Sequence, residues 1–257
     1  MLTMTNSRRT FLKTALYAGG IAAASPTRML AHTPGTPPAA DGLTILFQGD
    51  SITDGNRGRT DDPNHIMGHG YAFSIASRIG ADFPERHIKC INKGISGNTV
   101  QDLATRWDAE ALALKPDVIS ILIGVNNVLF ALGGDTAAMT NFEPVYRQLL
   151  DHTRQTLPKA SLVLGNPFIL PVGRVNQNLT AWTDAIKACQ TTTQKLATEF
   201  NAVLVDYQTV FTAATKRAPA EYWIWDGIHP TVPGHELMAR EWIKKVKAHK
   251  GPLQFIR

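Results

Sequence analysis

Five short apolar runs, each separated from the next by a longer stretch with helical periodicity, limit this chain to very few architectures. The runs are "LTILFQG" at 43–49, "HIKCIN" at 87–92, "DVISILIG" at 117–124, "SLVLGN" at 161–166 and "AVLVD" at 202–206. Each is short and mostly apolar on both faces, as strands are when helices cover both sides of a parallel sheet. Helical patterns fill 71–83, 99–114, 142–156, 179–200 and 233–248. That rhythm predicts a three-layer α/β/α domain with a central five-stranded parallel sheet and right-handed crossovers. Such sheets gather their ligands beyond the carboxyl ends of the strands.

The amino end follows a different pattern. "SRRTFLKTALYAGGIAAAS" pairs Arg8 and Arg9 with Phe-Leu-Lys and a modest apolar stretch too short for a comfortable membrane span. Residues 1–31 are similar to a twin-arginine export signal, so the expected location is periplasmic or extracellular, with no stable membrane insertion after processing. The proline-rich stretch at 32–42 is expected to be a linker, and 43–257 the folded domain. The formal charge of +5 does not point to nucleic acid. Four of the 26 basic residues (Arg8, Arg9, Lys13 and Arg28) lie in the signal-like segment, which leaves 22 against 21 acids. Cys90 and Cys189 are expected to be buried free thiols, and no metal-ligand spacing or cofactor motif is present.

The chemistry concentrates in the loops that follow these strands. In "FQGDSITDGNR" Ser51 stands just past the first apolar run. A serine hydroxyl needs a base, and an imidazole base needs a third group to fix its tautomer. Asp226 and His229, three residues apart in "DGIHP", can supply both. Acyl transfer also needs donors for the developing oxyanion. The candidates are the backbone N–H groups of Ser51 and Gly94 and the side-chain amide of Asn126. Ser96 in "GISG" is a rival nucleophile. A phosphate held by the "GISGNT" loop is the alternative from outside enzymology, but the lysine and hydroxyl of a phosphate loop are missing.

"GDSITDG", "NKGISGNT", "GVNN" and "DGIHPTVPGH" together resemble the four blocks of the GDSL hydrolases, also called SGNH hydrolases. The resemblance implies a flavodoxin-like fold, Ser51 as nucleophile, Asp226 and His229 as orienter and base, Ser51, Gly94 and Asn126 as the oxyanion hole, and no cofactor. One position departs from the pattern: Asn127 stands where the third block usually has aspartate. Sequences around the blocks, such as "YWIWDGIHPTVPGHELMAREWI", resemble the acetyl-xylan-esterase-like bacterial branch. That implies a small-molecule or oligosaccharide ester as substrate, O-acetyl above all, with lysophospholipids or acyl thioesters as the alternative. Trp225 and Asp50 are candidates for the substrate pocket, with Trp107, Tyr222 and Trp223 as further aromatic faces. The run from Thr53 to Gly70 is expected to wall the pocket, and 171–178 to serve as pocket wall or subunit contact in a homo-oligomer.

Overall fold

The computed structural model describes residues 42–249 and 251–256; the export-signal segment and residues 32–41 of the expected linker lie outside them. Its five strands are β1 (Thr44–Gly49), β2 (Lys89–Asn92), β3 (Val118–Leu122), β4 (Ser161–Gly165) and β5 (Val203–Val205). All four pairings are parallel and the order is β2-β1-β3-β4-β5. Each strand falls inside the run that predicted it. Every residue of β3 is buried, as a mostly apolar strand covered on both faces requires.

The helices are α1 (Ser51–Asp54), α2 (Tyr71–Asp82), α3 (Val100–Glu110), α4 (Val125–Leu132), α5 (Ala137–Thr140), α6 (Phe142–Thr156), α7 (Gly173–Asn176), α8 (Leu179–Glu199), α9 (Tyr207–Ala214), α10 (Ala220–Trp223) and α11 (Val232–Ala248). Local chemistry explains their ends. Thr99 and Asp102 form a reciprocal capping box that starts α3. Thr231 caps α11 ahead of Pro233, and Lys245 and Lys247 sit at its negative end. The helix expected over 99–114 is divided: α3 stops at Glu110 and a separate 3-10 turn covers Leu112–Leu114. Buried Phe142, Tyr146, Leu149, Leu150 and Thr153 mark the inner stripe of α6.

The connection from β1 to β2 crosses the sheet one way, and those from β2 to β3 and onward cross it the other way. Right-handed crossovers therefore set α2 against one face and α3, α6 and α8 against the other. Contacts agree: α11 packs on α2, α3 on α6, and α6 on α8. In the core, Phe47 of β1 lies 5.7 Å from the ring of Trp242, whose Nε1 donates to Ser120 Oγ at 2.9 Å. The reversal of direction falls between β1 and β3, which opens a crevice past their carboxyl ends. Both cysteines are free, Cys189 buried and Cys90 half-buried, and burial pushes each thiol up to about 12.

Candidate active site

Gly49 ends β1 where a Cβ would lie 2.3 Å from the carbonyl of Leu122 and 2.4 Å from Thr53 Oγ1. Only glycine lets β1 turn this close to β3. Asp50 follows as the cap of α1, its Oδ1 accepting from the N–H of Ile52 at 3.0 Å. The next two N–H groups, those of Thr53 and Asp54, bond to the carbonyl of Asp50. The N–H of Ser51 has no acceptor among the described residues. Ser51 thus stands in the first helical turn past β1 with both hydroxyl and amide available.

The partners come from the loop between α10 and α11. His229 Nε2 is 2.8 Å from Ser51 Oγ, and its Nδ1 is 2.8 Å from Asp226 Oδ2. A proton on Nδ1 satisfies both bonds and leaves Nε2 free to accept from the serine. Asp226 Oδ1 takes the N–H groups of Ile228 and His229 at 3.0 and 2.7 Å. Burial alone would raise this carboxyl, but those bonds outweigh it and hold it down at about 2. Gly227 adopts φ +95°, and a Cβ there would lie 2.5 Å from the carbonyl of Val172. The segment 171–178 buttresses this loop from behind: Arg174 donates its N–H to the carbonyl of Asp226 at 3.2 Å.

The second loop corrects one assignment. Gly94 does not present its N–H to Ser51, because Asn92 Oδ1 accepts it at 2.9 Å. What requires glycine at 94 is packing, since a Cβ would lie 2.4 Å from the backbone nitrogen of Asp54. The glycine with a free amide is Gly97, exposed, at φ +86° and with no acceptor among the described residues. Asn126, at the start of α4, gives one amide proton to the carbonyl of Asn98 at 3.0 Å and keeps the other. Ser96 is not activated as a nucleophile: its N–H and hydroxyl both donate to Asp54 Oδ2, each at 3.0 Å. The signal separating Gly97 from Gly94 was Asn92, whose side chain occupies the nearer glycine.

The model of the GDSL-like lipase/acylhydrolase family matches residues 47–237, which takes in all four loops. This chain belongs to that family. The GDSL hydrolase is 32% identical over 215 residues to an acetylxylan esterase of Geobacillus stearothermophilus, across 80% of this chain and 94% of the relative. A solved structure of that esterase superposes with TM-score 0.70. A GDSL-like lipase from Parabacteroides merdae, 38% identical, does so with TM-score 0.77 over 80% of this chain and 96% of the other. In the Geobacillus esterase a serine, an aspartate and a histidine three positions beyond that aspartate have been substituted as catalytic mutants. Kinship with these proteins makes the chain a carboxylic ester hydrolase.

The GDSL hydrolase puts its remaining candidates in different places. Asp50 does not line a surface pocket: it is 1% exposed, burial raises its carboxyl to about 7, and its Oδ2 has no partner among the described residues. Trp107 is a core residue, its Nε1 donating to Thr153 Oγ1 at 2.9 Å. Trp223 is buried too, whereas Tyr222 is exposed. Trp225 is 64% exposed. Asn127 is buried, with its Oδ1 accepting from Val100 and its Nδ2 donating to Gln101 Oε1 and to the carbonyl of Ala138. Between 53 and 70 the chain closes on itself, Gly58 donating to His65 and His69 to Gly55. Among the described residues, no group of three or more His, Cys, Asp or Glu could hold a metal ion.

Proposed function

We propose that this protein is an exported esterase that removes short acyl groups, acetyl above all, from carbohydrates through a Ser51–His229–Asp226 triad. The observation that carries this reading is the unbroken chain of two 2.8 Å contacts from Ser51 Oγ through the imidazole to Asp226. Ser51 Oγ attacks the acyl carbon while its proton passes to His229 Nε2, and Asp226 supports the imidazolium that forms. The tetrahedral oxyanion is met by the N–H groups of Ser51 and Gly97 and the free amide proton of Asn126. As the ester C–O bond breaks, His229 returns the proton to the sugar oxygen. Water then attacks the acyl-enzyme with His229 as base, releasing the carboxylic acid and regenerating Ser51.

The acetylated-carbohydrate substrate is supported by the acetylxylan esterase relative and by the exposed indole of Trp225 beside the base. A fluorophosphonate probe tests the nucleophile: wild-type protein should label, and Ser51→Ala should not. A chain-length series of p-nitrophenyl esters tests the acyl group, with rates falling from acetate to decanoate; a rise toward decanoate would favour the lipid and thioester alternative. Acetate released from a panel of acetylated xylo-oligosaccharides and other sugars identifies the alcohol. Export rests on the twin arginines, and lysine at both Arg8 and Arg9 should leave the protein inside the cell.

A further inference from the structure

Asp54 closes α1 three residues after Ser51, and none of the chemical steps above uses it. Its carboxylate is 3% exposed and both oxygens are fully engaged. Oδ1 accepts from the backbone of Arg57 at 3.1 Å and from Arg59 Nη1 at 3.0 Å. Oδ2 accepts from Arg59 Nη2 at 2.7 Å and from both the N–H and the hydroxyl of Ser96 at 3.0 Å. Burial would raise the carboxyl, but the Arg59 guanidinium and the Ser96 and Arg57 donors prevail and hold it below the usual range. The group is therefore an anion at neutral pH, and the paired guanidinium cancels its charge.

The other ties of this loop hold its base. Asn92 takes the N–H of Gly94, the carbonyl of Gly94 takes Arg57 Nε, and the N–H of Ile95 goes to the carbonyl of Gly49. Beyond them stands Ser96, exposed to solvent, followed by Gly97 with its unoccupied N–H. A glycine peptide at φ +86° with no Cβ contact within 4 Å has nothing of its own to fix its direction. On one side Asn98 holds it, its N–H on the carbonyl of Ile95. On the other side the tie is Asp54.

We propose that Asp54 is a positioning residue of the ester hydrolysis: by holding both donors of Ser96, it aims the Gly97 N–H at the oxyanion formed on Ser51. The same turn thus places the nucleophile at its first residue and braces the oxyanion loop from its last. Because the Arg59 guanidinium neutralises the brace, it adds no uncompensated negative charge beside the developing oxyanion. This rests on the serine-esterase reading above.

The test is Asp54→Asn, which keeps size but turns one of two acceptors into a donor, so that in either orientation of the amide it meets donors now bound to the carboxylate. With p-nitrophenyl acetate, kcat should fall about 10- to 100-fold, short of the roughly 100- to 1000-fold loss of a whole donor. KM should stay within about twofold, and the affinity for phenylboronic acid, which adds to serine as a tetrahedral anion, should fall by the same factor as kcat. Ser96→Ala, on an exposed residue, gives the same signature at smaller size and replaces Asp54→Asn if that variant does not fold. Unchanged kcat in a folded variant, or a loss carried by KM with boronate affinity intact, would overturn the proposal. Ser51→Ala separates the two levels: if it retains activity the esterase reading fails, whereas activity lost there and unchanged in both loop variants refutes only the role of Asp54.

Discussion

Trp225 lies alongside the imidazole of His229, the ring centroids 6.2 Å apart and the planes inclined by 25°, with most of the indole open to solvent. An exposed indole beside His229 offers a flat apolar face on which a pyranose ring can rest. Trp225→Ala should raise KM for an acetylated xylo-oligosaccharide about 5- to 20-fold, the loss expected for about 1–2 kcal/mol of ring contact. For p-nitrophenyl acetate, which has no sugar, KM should change less than about twofold. Equal effects on the two substrates would remove the indole from sugar recognition.

Asp226→Asn should leave the fold intact and reduce kcat by about three to four orders of magnitude, as the loss of the orienting carboxylate does in other triads. The amide can still accept from Ile228 and His229 at one oxygen. It cannot support an imidazolium. Circular dichroism and the kcat of the variant, measured side by side, check this.

Asn127 stands where the resemblance of the third block to the GDSL pattern implies aspartate, and the structure gives its amide two acceptors. Both Nδ2 protons are spent on acceptors, Gln101 Oε1 and the carbonyl of Ala138. Asn127→Asp would set a carboxylate against those two oxygens in a fully buried site, and should cost about 1–3 kcal/mol or more. Urea unfolding should show the loss, and activity per folded molecule should change little. Restoring the aspartate therefore calls for a compensating donor nearby.

Two buried groups pull the stability in opposite directions with pH. Burial lowers His235, with its neutral Nδ1 accepting the N–H of Tyr71, from an ordinary 6.5 to about 4. The unfolded chain takes up this proton first, so stability from His235 is whole above about pH 6.5 and is lost as the pH falls toward 4, by roughly 3 kcal/mol. Asp50, raised by burial from 3.8 to about 7, acts in reverse: its cost is absent below pH 3.8 and grows as the pH rises to 7. Removing one group leaves the other unopposed. His235→Asn should become more stable on going from pH 7 to 4.5, while the wild type stays flatter. Parallel urea midpoints for the two proteins across that range would contradict this.

The strands were legible because a parallel sheet covered on both faces leaves mostly apolar runs, and β3, apolar at four of its five residues, carries that pattern most clearly. α4 and α9 were not, since "VNNVLFAL" and "YQTVFTAA" are eight residues each and short helices carry little periodicity. In the site, Ser51, Asp226 and His229 could be named from residue type and order. The glycine with an available N–H could not, because two glycines three residues apart look alike until a neighbour occupies one of them, and that neighbour, Asn92, sits at the end of a strand. The bond from Arg174 to Asp226 was hidden for a similar reason: it runs through backbone, which sequence does not distinguish.

Asp226 and His229 meet within a single turn of chain, whereas Ser51 and His229 are 178 residues apart. The first contact can form in a fragment; the second exists only once β1 and the entry to α11 have come together around a finished sheet. Under the serine-esterase proposal, labelling of Ser51 depends on a contact of long sequence separation. Recovery of fluorophosphonate labelling during refolding should therefore follow the approach of these two distant segments.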